Sequence, residues 1–302
     1  MILTVTPNPA IDLTYRVAAL KPGETHRVAA PAARAGGKGL NVARVVAQTG
    51  GAAFALTTAG GAPGLRLADD LEAAGLPSEL VPVSSPTRSS VAIVDEGSGV
   101  TTIFNEEGGP LTPGEWTALR EAVQRLAVPA TAIVGSGSLP PGAPDTFYAE
   151  LVEAARRHGI PSVIDATGLP LLAAAEAGAD VLKPNRRELA DTIGIDDPVE
   201  GGRTLIAAGA RLVLVSLGAD GMLAVSGADV FSARLPQPLS GNATGAGDAA
   251  VAAVASALAS GIADPATLVR RATAWSAAAV LAPLAGELDP AYPEYEARLV
   301  LS

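Results

Sequence analysis

Short apolar, β-branched runs alternate along this chain with stretches of helical periodicity. That alternation restricts the fold more than any other feature. The runs fall at 2–6, 130–134, 162–164, 181–182 and 212–215, with helical patterns between them at 40–48, 65–74, 113–126, 145–157 and 201–208. Continuous apolar strands separated by helices predict a parallel sheet covered on both faces. Of the 302 residues, 48% are hydrophobic but only 3% are aromatic, so the core must be Ala, Val and Leu packed closely on that sheet. Such a length suits a single α/β domain with an insertion. Residues 13–30 and 87–104 break the rhythm. Each reads as an extended pair, with turns at Lys21-Pro-Gly-Glu24 and Glu96-Gly-Ser-Gly99. They predict a small β-sheet standing off the main one, a candidate lid. Residues 245–302 read as mostly helical.

A net charge of −10 argues against nucleic acid as the main partner, so any phosphate site must be a local basic cluster. The absence of cysteine removes disulfides, thiolate metal sites and cysteine nucleophiles. His26 and His158 are the only histidines, which excludes a multi-histidine metal site. A divalent ion held by carboxylates and nucleotide phosphates stays open. Residues 1–6 carry neither a basic leader nor a cleavage site, and the small-apolar run 249–263 is too short to span a bilayer. The expectation is a cytoplasmic protein with no membrane partner.

The chemistry concentrates in Asn242-Ala-Thr-Gly-Ala-Gly-Asp248, which runs straight into an Ala-rich helix. Backbone N–H groups at a helix start, with the positive end of its dipole, make an anion site. Glycine lets that backbone approach a phosphate closely. A carboxylate there repels phosphate, so Asp248 makes sense as the group that takes a proton from a hydroxyl attacking phosphorus. The same residues also suit a tight turn with Asp248 as helix cap.

A second glycine-rich turn, Ala35-Gly-Gly-Lys-Gly-Leu-Asn41, also opens a helix. It lacks the spacing and the Ser/Thr of a P-loop, and it does not follow the first strand as a dinucleotide fingerprint should. Lys38 there could meet an anionic group and Asn41 could bond hydroxyls; a solvated lysine in a tight turn is the plainer alternative. Asp12 follows the first strand, where open α/β sheets bind ligands, and can hold sugar hydroxyls or simply form a turn. Arg88, in Thr87-Arg-Ser-Ser90, is a guanidinium fork suited to phosphate, and Arg27 in the first lid segment is a weaker candidate of the same kind. Ser136-Gly-Ser-Leu-Pro-Pro-Gly142 is a small-residue loop at a strand end. In Lys183-Pro-Asn-Arg-Arg-Glu188, Asn185 and Glu188 share a helix face and could hold hydrated Mg²⁺ on nucleotide phosphates, or form a capping box. Val213-Leu-Val-Ser-Leu-Gly218 is a buried strand into a turn against which a nucleotide could lie. Trp275, on an Ala-rich helix, suits the core better than an adenine platform.

Taken in order along nearly the whole chain, these motifs resemble the ribokinase / phosphofructokinase-B family of sugar kinases. Asn-Pro-Ala-Ile-Asp12 and the lysine of Gly-Gly-Lys-Gly are similar to its branch acting on phosphorylated ketohexoses, 1-phosphofructokinase and tagatose-6-phosphate kinase. The resemblance implies a ribokinase-like three-layer α/β/α sandwich over residues 1–302, with a β-sheet lid and often a dimer paired through it. It implies ATP and Mg²⁺ as cofactors and a phosphosugar as substrate. Asp248 would be the base, and the backbone of Gly245, Ala246 and Gly247 the anion hole. Asp12, Gly37 and Asn41 would hold sugar hydroxyls, and Lys38, Arg88 and Ser138 the substrate's phosphate. Lys183, Asn185, Glu188, Ser216 and Gly218 would serve ATP and Mg²⁺. After Asp248 the chain reads Ala-Ala-Val-Ala-Ala where relatives often carry a bulkier residue and a glycine, and Leu281-Ala-Pro-Leu-Ala-Gly286 lacks polar residues expected near adenine. The first expectation is phosphorylation of fructose 1-phosphate to fructose 1,6-bisphosphate, with tagatose 6-phosphate and fructose 6-phosphate as near alternatives. A non-catalytic sugar-phosphate or nucleotide sensor is the rival from another class, and the presence of Asp248 speaks against it. A dinucleotide oxidoreductase is disfavoured by the missing fingerprint.

Overall fold

The computed structural model describes residues 1–227, 229–237, 239 and 241–302. The chain opens with β1 (Ile2–Thr6), β2 (Ala10–Val17), β3 (Ala32–Gly36), α1 (Lys38–Gln48), β4 (Ala53–Ala59), α2 (Gly61–Ala73) and β5 (Ser78–Pro82). It continues through β6 (Arg88–Asp95), β7 (Thr101–Asn105), α3 (Pro113–Ala127), β8 (Ala132–Ser136), α4 (Phe147–Arg157), β9 (Ser162–Asp165), α5 (Leu169–Glu176) and β10 (Val181–Leu182). Then come α6 (Arg186–Ile193), α7 (Pro198–Ala208), β11 (Leu212–Ser216), β12 (Met222–Ser226) and β13 (Asp229–Arg234). The chain closes with α8 (Ala246–Ala259), α9 (Pro265–Leu281), α10 (Tyr292–Arg298) and β14 (Val300–Leu301).

A ten-stranded sheet of order β14-β13-β12-β11-β10-β9-β8-β1-β4-β5 forms the middle layer. It is parallel from β5 through β11 and antiparallel at the β12–β14 edge. Strand side chains alternate between faces, and here the alternation divides two cores. Ile2, Val134, Val163 and Leu214 join α1, α2, α8, α9 and α10 on one face. Leu3, Ile133, Ile164 and Val213 join α3 to α7 on the other. Buried strand residues on both faces explain the continuous apolar runs. The predicted Ala-rich core is real: residues 249–255 of α8 are all buried, a helix lined all round because small side chains let its neighbours come close. Trp275 lies in this core, its ring edge-on to Tyr292. No helix among the described residues is long and apolar enough to cross a membrane.

The two irregular stretches form a second sheet, β3-β2-β6-β7, in which β2 and β6 run parallel and the outer pairs antiparallel. Its boundaries differ from expectation. The partner of β2 is Ala32–Gly36, beyond the predicted 13–30 segment, and residues 18–31 are irregular. Pro22 and Pro31 offer no N–H to a ladder, whereas the Ala-rich β3 has weak strand propensity and forms because β2 and α2 receive it. Val17 is buried and Leu13 packs against the main core. The exposed apolar residues of this sheet are Val100, Ile103 and Phe104, on and beside β7.

Candidate active site

Five parallel strands end along one edge of the sheet, and residues at or just beyond their ends line a single cleft of about 1360 Å³. Thr6 ends β1, Ser136 precedes the Gly137–Ser138 loop after β8, Asp165 ends β9, Lys183 follows β10 and Ser216 ends β11. The strand order runs one way from β1 through β4 and the other way through β8, so the cleft opens where open α/β sheets bind ligands. Its volume exceeds that of a typical single-ligand pocket, leaving room for two substrates side by side.

The small sheet supplies one wall. Asp12 on β2 is largely buried, which pushes its carboxyl up to about 6 despite Arg88, Arg34 and Arg44 nearby. A side chain at Gly36 would fall on this carboxylate, since a Cβ there lies 2.1 Å from Asp12 Cγ. Arg88 is seated on backbone. Its Nη1 donates to the Glu106 carbonyl (2.9 Å), and its Nε and Nη2 donate to the Asn8 carbonyl (3.3 and 3.2 Å). Asn8 Nδ2 in turn donates to Ser138 Oγ (3.3 Å) and the Glu107 carbonyl (3.0 Å), so this one side chain ties β1, the β8 loop and the small sheet together.

The floor is a buried charge cluster. Asp165 is fully buried; burial alone would raise its carboxyl, but the ammoniums of Lys183 and Lys38 outweigh that and hold it below the usual carboxylate range. Lys183 Nζ lies 3.5 Å from Oδ1, and Lys38 Nζ lies 3.3 Å from Oδ2. Lys38 also reaches Glu188 at 3.7 Å, and Asp165 in particular stabilises its charged form. The Lys38 ammonium thus pairs with Asp165 and Glu188, while its Cβ stands 3.8 Å from where a Cβ of Gly137, beside Ser138, would be. Asn185 and Glu188 do form a capping box, each accepting the other's backbone N–H at 2.8 Å. That uses Glu188 Oε2 and leaves Oε1 facing Lys38.

At the start of α8 the cap is Gly245 in the left-handed region, φ 86°, with no side-chain cap bond. Asp248 is therefore not the cap. Its buried carboxylate instead accepts a 2.8 Å hydrogen bond from Asn41 Nδ2 on α1. Burial raises its pKa to about 7; Asp165 adds to this, while Lys38, the Asn41 hydrogen bond and Lys183 oppose it. The Ala246 N–H donates to the Ala243 carbonyl, so Ala246 is not a free anion-hole donor. Among the described residues the N–H groups of Gly247 and Asp248 donate to no protein atom. The Lys183 ammonium lies 3.3 Å from where a Cβ of Gly247 would stand. Amides, helix dipole and ammonium converge on one point.

Of the residues singled out in the sequence, Asp12, Gly37, Lys38, Asn41, Arg88 and Ser138 all line the cleft. So do Lys183, Asn185, Glu188, Ser216, Gly218 and the Gly245–Asp248 turn. Arg27 does not: it is exposed on the irregular segment that leaves the small sheet after Val17. Asp165 and Asn8 were missed. Asp165 carries the same signal as Asp12, a carboxylate closing a buried apolar run, and Asn8 lies inside a motif read only for Asp12.

A cationic helix start for a phosphoryl group, with a carboxyl tuned to neutral pH beside it, defines a phosphotransferase. The pfkB family carbohydrate kinase model matches residues 5–291, and the chain belongs to that family. Phosphofructokinase-2 from Escherichia coli, solved in complex with fructose-6-phosphate, is 32% identical over 98% of each chain, with a TM-score of 0.89. A possible 1-phosphofructokinase from Thermotoga maritima shares the fold at 24% identity over 100% of this chain and 99% of its own, with a TM-score of 0.90. Arabidopsis thaliana ribokinase, complexed with ribose and ATP, shares it at 22% identity, 97% and 98% coverage and a TM-score of 0.75. The protein is a sugar kinase with a ribokinase-like fold.

Proposed function

We propose that the enzyme transfers the γ-phosphoryl group of ATP to the free primary hydroxyl of a ketohexose phosphate, fructose 1-phosphate first. The carrying observation is that one cleft gathers three kinds of group. Arg88 is joined to Ser138 through Asn8 and acts on the Asp12 carboxyl by its charge, and Asp248 with its amide turn lines the same cleft, bonded by Asn41. A ketohexose phosphate carries the matching set: a phosphate, ring hydroxyls and a distal CH₂OH. Asp12 and Asn41 would hold hydroxyls. Asp248 accepts the proton of the attacking hydroxyl as the O–P bond forms and the bond to the ADP leaving oxygen breaks. Charge on the moving phosphoryl group meets the amides of Gly247 and Asp248 and the ammonium of Lys183.

The oxygen-only donors on the nucleotide side fit Mg²⁺, which is normally held by one or two carboxylates plus substrate phosphates. Glu188 lines the cleft with Oε1 3.7 Å from Lys38, and among the described residues the buried Asp165 Oδ1 is met by the Lys183 ammonium alone, at 3.5 Å. Those two would hold the ion, which supplies charge neutralisation on the phosphates when bound. Lys38, now bridging both carboxylates, would then turn toward phosphate oxygens. ATP would lie over Ser216 and Gly218. The substrates place the reaction in the cytoplasm.

Fructose 6-phosphate is the second reading. The 32%-identical relative was solved with it, and in the furanose form carbons 1 and 6 are both exocyclic CH₂O groups, on ring carbons 2 and 5, so the two esters present similar ends. A coupled ADP-release assay over fructose 1-phosphate, fructose 6-phosphate, tagatose 6-phosphate and free fructose tests this. Highest kcat/KM on fructose 1-phosphate is expected. Equal turnover of free fructose would overturn the phosphosugar reading.

A further inference from the structure

Behind the cleft, a short segment after α9 touches both parts of the phosphoryl-transfer machinery, and one side chain from the small sheet holds it. A Cβ on Gly245, the cap of α8, would stand 2.9 Å from Ala285 Cα, so the anion-binding turn rests on Ala285. A Cβ on Gly286 would stand 3.0 Å from Asn41 Oδ1 and 3.2 Å from Arg44 Cδ, so the side chain that orients Asp248 also rests on this segment. Gln48 fixes its far side through paired 2.8 Å hydrogen bonds with the Leu288 backbone. On the near side stands Arg34 of β3. Its Nη1 donates to the Ala285 carbonyl at 3.1 Å and to Glu287 Oε1 at 2.9 Å. Arg34 is also the register partner of Asp12 across β2 and β3. It is not among the residues lining the cleft.

We infer that Arg34 is a positioning residue: by pinning the Ala285–Glu287 backbone it seats both the Gly245 turn and the Asn41 amide against Asp248, and so links the sugar-binding sheet to the phosphoryl-transfer end. The inference rests on the kinase reading above. Arg34 touches neither substrate nor reacting atom in that reading. It acts through a backbone carbonyl and through backbone approaches close enough to leave no room for a side chain at Gly245 or Gly286. A displacement of order 1 Å there is enough to cost about 10²-fold in rate.

The test compares Arg34→Met, which keeps the aliphatic stem, with Arg34→Lys, which keeps a cationic donor. In the full-length enzyme Arg34→Met should lower kcat about 10- to 100-fold. Both KM values should stay within about twofold, because uniform substrate binding is untouched. Arg34→Lys should recover most of the rate. Hydrogen exchange in the free protein gives a readout that needs no turnover: Arg34→Met should speed exchange in the peptide covering 241–250, because local opening no longer works against the strut. Unchanged kcat with unchanged exchange overturns the inference. So does a rise confined to the sugar KM, which would make Arg34 a neighbour of Asp12 and nothing more. Failure of Arg34→Lys to recover the rate while its thermal stability equals that of the wild type would also overturn it. If the wild-type enzyme phosphorylates no sugar, the kinase reading fails by that result, while the exchange measurement still decides the strut.

Discussion

At the residue scale the decisive group is Asp248. A carboxyl at about 7 is half ionised at neutral pH, close to the optimum for a general base. Asp248→Asn should cut kcat by about 10²–10⁴ while sugar and nucleotide binding persist, measured by single-turnover kinetics and calorimetric titration. The base must be charged to accept a proton, so kcat/KM should climb as pH rises through about 7 and level off above it. The Asn41 hydrogen bond favours the charged form. Asn41→Ala should therefore move that limb to higher pH, and a limb that stays put would show that another group controls it. The sequence made Asp248 conspicuous but left it as either base or cap. The structure removes the cap alternative: Gly245 is the cap, and the carboxylate accepts a 2.8 Å bond from a residue 207 positions away, which no local pattern contains.

At the element scale, helix starts are the working parts. Three of them, on α1, α6 and α8, face the same cleft. Those of α1 and α8 have glycine caps without side-chain bonds, whereas α6 has a full capping box. The difference follows from use: an uncapped start keeps N–H groups for a ligand, and α6 needs its box to hold Glu188. Asn185→Ala should cost about 1 kcal/mol of stability, seen as a lower Tm. It should also raise the KM for MgATP by loosening Glu188, with the sugar KM unchanged. The helices and most strands were readable because their apolar periods are long. The strands β4 and β5 were missed: their short Ala-, Thr- and Pro-containing sequences become strands only because β1 offers β4 an edge to pair with and β4 in turn offers one to β5.

For the whole molecule, the open question in solution is the small sheet. It extends a second edge of β-structure with Val100 59% and Phe104 59% exposed, an apolar surface the rest of the chain leaves bare. A homodimer of this chain through the small sheets would cover those residues. Sedimentation at micromolar concentration should show a dimer, and Phe104→Glu should weaken it because a charge would then be buried without a partner. A fully active wild-type monomer would rule out the lid pairing as a requirement for catalysis.

Local sequence was sufficient for the α/β class, the Ala-rich core, the glycine turns and the motif residues that line the cleft. Those features depend on side-chain period and on backbone freedom, which neighbours along the chain specify. Tertiary structure decided what neighbours cannot. It chose β3 as the partner of β2 and left Arg27 outside the site. It also turned Lys38 toward Asp165 and Glu188, made Gly245 rather than Asp248 the cap, and placed Ala285 and Gly286 behind the catalytic turn. Each of these depends on burial or on a contact between distant segments, because a carboxyl's charge and a strand's pairing are set by whatever surrounds them in space.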